Sequence, residues 1–340
     1  MKESIRSFSS LTLDSLSRVL LLTSMLAFAR DTESSKATTI VAPGGRIDVF
    51  DAHEEVAVAH EDLIGWVSAA SKSVATYFGR YPVPHVAVRI TTSDGRGVHN
   101  GRTFGSPGAL ITISVGRKTT LGDLKGDWTM THEMVHLAFP SVAERHHWIE
   151  EGTATYVEPI ARVQSGILEP SKMWSDLIRD LPQGFPGPED QGLDVIHTWG
   201  RTYWGGALFC LLADVEIHQR THNQKGLEDA LRGILAAGGN ITEDWPLERA
   251  LRVGDEATGT RVLENLYEEM KDKPVRVNLA SLWRELGIQR FQNGDISFTD
   301  DAPLASVRKS ITPVQIHGEH QLSGVVKREV VLCMLAVAPK

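Results

Sequence analysis

The hydrophobic pattern is mostly two-residue alternation before Leu121, interrupted by one helical stretch, and mostly helical spacing after it. Residues 38–50 read as strand, turn, strand. Ile40-Val41 is the first apolar piece and Pro43-Gly44-Gly45 the turn; Arg46-Ile47-Asp48-Val49 then alternates as a half-buried strand does. Residues 55–78 switch to helical spacing, with Val56, Leu63, Ile64, Val67, Val74 and Phe78 on the buried side and Gly79 as the stop. Alternation returns over 85–91 through Val86, Val88 and Ile90, and over 109–115 through Ile111, Ile113 and Val115, predicting two more strands. The segment between them, 93–108, is rich in Gly, Ser and Asn and long enough to read as a binding loop.

From Leu121 onward the pattern is helical. Helices are expected over 128–138, 151–163, 171–180, 203–220, 226–237, 260–271 and 279–286. Strands first and helices second is the α+β order rather than repeated β/α units. The expected division is a strand-rich lobe over 38–120, a helical lobe over 121–310 and an extended tail over 311–340, with 329–337 a candidate strand. No internal repeat or low-complexity tract interrupts this order.

Composition narrows the function classes. The 340 residues suit two modest domains or one elaborated domain; 41% are hydrophobic and 23% charged, as in a globular protein with a sizeable core. A formal charge of −8 without any Lys/Arg block argues against nucleic acid and anionic membranes as main partners. No apolar run reaches the ~18 residues of a membrane-spanning helix. Cys210 and Cys333 are too few for a disulfide scaffold. Residues 1–29 read as an export signal. Lys2, Arg6 and Arg18 stand against Glu3 and Asp14, a short apolar run follows, and Ala27-Phe28-Ala29 offers a small-x-small cleavage site. A periplasmic or secreted protein is therefore expected.

The chemistry is concentrated in His132-Glu133-Met134-Val135-His136. On a helix, positions i and i+4 share a face, so both imidazoles can reach one metal ion, and the glutamate between them lies beside the water to be activated. A catalytic zinc ordinarily takes three protein ligands and keeps a fourth position open. Downstream runs Trp148-Ile149-Glu150-Glu151-Gly152-Thr153-Ala154-Thr155-Tyr156-Val157-Glu158. Together these segments resemble the gluzincin peptidases, in particular the aminopeptidase N and glycyl aminopeptidase families. There an aromatic-x-x-Glu-Gly segment supplies the third ligand.

By that resemblance the third ligand is Glu151, which directly precedes the glycine; Glu150 is the competitor. The linker from His136 is shorter than in aminopeptidase N relatives. A metzincin arrangement fails, because Phe139 and Val142 occupy the positions that would need Gly and His. His146 and His147 are expected to be surface polar residues or substrate-loop groups. Thr202-Tyr203-Trp204-Gly205-Gly206-Ala207 resembles the family segment whose tyrosine hydrogen-bonds the oxyanion, which assigns that role to Tyr203. Glu158 matches an acidic position in relatives; it either orients a ligand or is simply solvated. Cys210 reads as a small core residue, with a disulfide to Cys333 permitted by export but not demanded by spacing.

The resemblance implies a thermolysin-like (zincin-like) α+β catalytic domain holding one Zn²⁺, with peptides or proteins as substrates. His132, His136 and Glu151 would be the ligands, Glu133 the general base and Tyr203 the oxyanion stabiliser. One departure stands out. Relatives hold the substrate amine with a glutamate in a Gly-x-Met-Glu-Asn strand, and in the corresponding Gly108-Ala109-Leu110-Ile111-Thr112 an isoleucine occupies that position. Strict aminopeptidase action on that pattern is thus unsupported, and the alternative expectation is a non-catalytic exported metal-bearing module that binds a peptide or partner.

Overall fold

The computed structural model describes residues 37–51 and 55–313. The expected export signal, Cys333, the candidate strand at 329–337 and all but the start of the expected tail lie outside the described residues. Helix α11, introduced below, runs through Ile311, so the first residue assigned to that tail is helical and buried.

Strands β1 (Thr38–Ala42) and β2 (Gly45–Phe50) form an antiparallel hairpin across Pro43-Gly44, with Gly44 at φ +89°. Only glycine adopts that backbone without strain. Helix α1 (His60–Phe78) starts five residues later than its periodicity suggests and ends at Gly79 in the left-handed region (φ +74°), the usual helix stop. Its face of Leu63, Ile64, Val67, Val74 and Phe78 is buried.

β3 (His85–Ser93), β4 (Val98–Phe104) and β5 (Leu110–Gly116) complete a five-stranded sheet of order β1-β2-β3-β5-β4. β2, β3 and β5 run parallel, while β1 and β4 are antiparallel at the two edges. The segment read as a binding loop therefore contains an edge strand. β4 escaped the pattern because Val98-His99-Asn100-Gly101-Arg102-Thr103-Phe104 does not alternate: its apolar residues are its two ends, of which Val98 packs against the core and Phe104 is exposed. Its register against β5 shifts by one residue between His99 and Arg102, a bulge in which Asn100 takes φ +53°.

The helices follow. α2 (Leu121–Gly126) is closed by a capping box between Thr120 and Asp123. α3 (Thr129–His136) carries the His-Glu-x-x-His segment, and its first amides donate to the Asp127 carboxylate at 3.1 Å. α4 (His147–Gln164) begins one turn before the predicted start. α5 (Pro170–Asp180) is followed by a π-helical turn, Arg201–Gly205, which leads into α6 (Gly206–Arg220). α7 (Leu227–Ala236), α8 (Leu247–Thr258), α9 (Val262–Met270) and α10 (Leu279–Glu285) precede a small hairpin of β6 (Ile288–Arg290) and β7 (Ile296–Phe298), and α11 (Ala305–Ile311) follows.

A single apolar cluster joins the sheet (Ile47, Val88, Ile111), α1 (Val67), α3 (Met130, Met134) and α4 (Trp148, Tyr156). Helix α1 packs against both α3 and α4, so the strand-rich and helical parts share one core. That packing presents α3 and α4 side by side, with β4 along the outer flank of α3.

Candidate metal centre

α3 is only two turns long and buried on most sides; Met130, Met134 and Val135 anchor it while His132 and His136 share the remaining face. α4 crosses beside it and contributes Glu151 from its second turn. The Nε2 atoms of His132 and His136 lie 3.2 and 3.6 Å from Glu151 Oε2. One donor atom from each of the three residues lies within 4.8 Å of the others, a grouping able to hold a metal ion. Among the described residues this is the grouping of three or more such side chains that meets that criterion.

The electrostatics suit ligation. Burial opposes the Glu151 charge, yet hydrogen bonds from His132, His136 and His147 together hold its carboxyl well below the usual range. Burial pushes His132 down towards the neutral imidazole that binds metals; for His136 burial is again the largest single influence, but Glu151, Glu133 and Glu150 together outweigh it and the net direction is up. Glu150, the rival ligand, is engaged elsewhere. Its Oε1 accepts from the Val142 amide at 3.2 Å and its Oε2 pairs with His147 Nδ1 at 2.9 Å.

His147 also reaches Glu151 Oε1 through Nε2 at 3.3 Å, so it grips the oxygen that faces away from His132 and His136. Its two carboxylate contacts, Glu150 first, raise its pKa to about 10. His146 departs from expectation. It is 1% exposed, not a surface residue, because Asp194 Oδ1 pairs with its Nδ1 at 3.0 Å while the same carboxylate accepts from Trp148 Nε1 (2.8 Å) and the Tyr267 hydroxyl (2.8 Å).

Glu133 lies on the cleft side of α3. Thr103 Oγ1 is 2.7 Å from its Oε2 and 2.9 Å from its main-chain carbonyl. A Cβ on Gly101 would approach Glu133 Oε1 to 2.5 Å and Cδ to 2.9 Å, so the bare backbone leaves the Glu133 carboxylate in its present place, which an added side chain would push aside. Neither Thr103 nor Gly101 carries a sequence signal, since a polar edge strand leaves no periodic trace. Ile111, compared above with an amine-binding position, is fully buried in β5, one strand inside the edge. The strand that borders the cleft is β4.

Tyr203 sits in the π-helical turn, which is pinned by the buried Arg201–Asp190 ion pair (Nε–Oδ2 2.7 Å) and by Arg201 Nη1 donating to the Gly184 carbonyl at 2.6 Å. Such turns recur at functional sites. Its ring stacks on His132 (centroids 6.2 Å apart, planes at 13°), and Trp199 stacks on it as well (5.5 Å, 25°). Burial, followed by the Glu151 charge, pushes the phenol up to about 12. Glu158 lies two turns beyond Glu151, and its carboxylate accepts from Arg162 Nη1 at 2.8 Å. This buried ion pair is neither of the two expected environments, a metal ligand's partner or solvent. Cys210 is buried in the core, as expected, with Thr153 Oγ1 3.8 Å from its sulfur.

The cleft over these residues has a volume of about 690 Å³ and is lined by β4, the two histidines, Glu133, Glu151, Tyr203 and the segment Ile241, Thr242 and Asp244. It thus joins an open space, three convergent donors, a carboxylate and a phenol.

No family model matches the sequence, and no curated protein resembles it. Solved structures do. The aminopeptidase N family protein from Idiomarina loihiensis superposes with a TM-score of 0.56 at 12% identity, over 74% of this chain and 49% of that one. The M1 zinc metallopeptidase from Deinococcus radiodurans gives 0.45 at 14% identity, over 71% and 52%. The chain spans about half the length of these structures. At such identities the likeness is one of fold: an aminopeptidase N-type α+β fold surrounds a His132, His136 and Glu151 triad suited to a metal ion.

Proposed function

We propose that the protein is a zinc-dependent hydrolase of peptide bonds, acting through an activated water. The observation that carries this reading is the convergence of His132 Nε2, His136 Nε2 and a Glu151 oxygen beside Glu133, within one open cleft. Two imidazoles and one carboxylate, with one side left to the cleft, form a donor set that fits catalytic zinc. Zinc bound there supplies Lewis acidity, polarising a carbonyl and lowering the pKa of water towards ~7.

The chain's own groups do the rest. Glu133, held against Gly101 and Thr103, takes a proton from the attacking water and later delivers it to the leaving amine. Tyr203, a phenol protonated at neutral pH as an ordinary tyrosine is, donates a hydrogen bond to the oxygen on which charge develops. A peptide lies between β4 and the zinc ligands, and export would bring the enzyme to periplasmic or extracellular peptides. The test is digestion of a mixed peptide library by the zinc-loaded protein, read by mass spectrometry, with Glu133→Gln beside it. Cleavage by the wild type alone, with equal zinc in both, is expected. Equal cleavage by both proteins would overturn the mechanism.

A further inference from the structure

Residues 185–198 form neither helix nor strand, yet this connector grips two parts of the metal centre at once. Asp190 is buried in its ion pair with Arg201 and accepts from the Gly192 amide at 2.9 Å. Arg201 opens the π-helical turn that carries Tyr203. Four residues further on, Asp194 Oδ1 accepts from Trp148 Nε1 (2.8 Å) and pairs with His146 Nδ1 (3.0 Å), and its Oδ2 accepts from the Tyr267 hydroxyl (2.8 Å). His146 and Trp148 stand at the start of α4, whose second turn carries Glu151. Between the two carboxylates the backbone is fixed by the end of α9. The Leu193 and Asp194 amides donate to the Met270 and Lys271 carbonyls, both at 2.9 Å. Gly192 takes φ +108°, and a Cβ there would come within 2.5 Å of the Lys271 carbonyl oxygen and the Asp272 amide. Leu193 is fully buried, and a Cβ on Gly205, in the π-helical turn, would meet its Cδ2 at 3.0 Å.

We propose that Asp194 and Asp190 are positioning residues for the metal centre, Asp194 acting through the start of α4 on Glu151 and Asp190 acting through Arg201 on Tyr203. Neither carboxylate lines the cleft, so neither touches substrate. α4 has no side-chain cap of its own at its N-terminus, so the place of its first turn depends on what grips His146 and Trp148. A carboxylate there also meets the positive end of the helix dipole. Helices are stiff, and Glu151 lies three residues beyond Trp148, about 4.5 Å along the axis, so a displaced first turn displaces Glu151 with it. Tyr203 depends on Arg201 in the same way, because the guanidinium spans Asp190 and the Gly184 carbonyl and so fixes the turn. The connector thus refers two elements that are distant in sequence to one support, and a shift of about 1 Å at a reacting group can cost roughly a hundredfold in rate. The role of Asp190 rests on the peptide-hydrolysis reading; that of Asp194 requires only metal binding.

The test reads zinc affinity of the full chain by chelator competition and stability by urea unfolding. Asp194→Ala should weaken zinc binding roughly tenfold or more, and Asp194→Asn, which keeps an acceptor for Trp148, should recover most of the loss. Arg308→Met is the control for instability alone: it removes a buried group that donates to the Leu286 and Gly287 carbonyls, and should lower stability without changing zinc affinity. Asp190→Asn should keep zinc affinity near wild type, while its crystal structure shows Tyr203 displaced from its stack on His132. Because that variant leaves the Arg201 charge buried without its partner, Asp190→Asn combined with Arg201→Met, which removes both charges, is measured beside it. On a cleaved peptide, Asp190→Asn should lower kcat by about ten- to a hundredfold with KM little changed, and should cost nothing further in a Tyr203→Phe background. Unchanged zinc affinity in Asp194→Ala, Tyr203 undisplaced in both Asp190 variants, or equal losses of kcat in the two backgrounds would overturn the proposal. Absence of turnover in the wild type would remove the hydrolase reading, with zinc affinity and the place of Tyr203 still deciding the two positioning roles.

Discussion

Gly152 on α4 and Gly206 at the start of α6 meet backbone to backbone: a Cβ on Gly206 would come within 2.7 Å of the Gly152 Cα, and one on Gly152 would collide with the Gly206 main chain. This crossing brings the turn that carries Tyr203 against the helix that carries Glu151. The glycine after Glu151 is thus explained by packing, because only two bare Cα atoms allow so close an approach.

Replacing either glycine should cost more than an ordinary surface change. For Gly152→Ala we expect a loss of about 1–3 kcal/mol in urea unfolding, as for overpacked cores, together with weaker metal binding because Glu151 is the adjacent residue. Gly65→Ala, at an exposed position inside α1 where an added Cβ meets nothing within 4 Å, is the control: metal binding should stay near wild type and stability should rise by up to about 1 kcal/mol, alanine being the better helix former.

The hold on Glu133 is separable from the metal. Thr103→Val removes the 2.7 Å contact to its carboxylate while leaving the three donors alone. Turnover should fall by roughly ten- to a hundredfold, with zinc content by mass spectrometry unchanged. Gly101→Ala pushes on the same carboxylate from the strand and should act in the same direction. Loss of zinc in Thr103→Val would contradict this account.

His147 should tune affinity without being a ligand. It grips the Glu151 oxygen that faces away from His132 and His136, and is itself held by Glu150. His147→Ala should weaken zinc binding by about ten- to a hundredfold in a chelator competition assay, and His147→Gln, which retains a donor, should recover part of the loss. Unchanged affinity in His147→Ala would remove its orienting role.

Glu158 gives a pH signature. Burial raises its pKa to about 7, although Arg162 beside it pulls the other way. Between the ordinary value of 4.5 and about 7 the folded protein keeps a proton that the unfolded chain has released. Its contribution to stability is therefore fully present below about pH 4.5 and lost as pH rises through about 7. Glu158→Gln cannot titrate, so wild-type stability minus variant stability should fall across that window, by a total on the order of a few kcal/mol. A difference that rises with pH would mean that the ion pair with Arg162 outweighs burial.

What could be read from residues alone was what depends on local periodicity. The four-residue spacing of His132 and His136 sets both on one face of any helix, and the apolar stripes of α1 and β5 select their buried sides whatever lies against them. The order of strands before helices followed from the same patterns. Tertiary structure decided whatever depends on contacts between distant segments. Which of Glu150 and Glu151 joins the histidines depends on where Val142 and His147 come to lie. His146 is buried because Asp194, far along the chain, closes over it. β4, apolar only at its ends Val98 and Phe104, left no periodic trace, yet its bulge brings Gly101 and Thr103 against Glu133. Trp199 stacks on Tyr203 and Tyr203 on His132, contacts between distant segments that no local pattern announces. Periodicity is a property of neighbours in sequence, whereas a site is a property of neighbours in space.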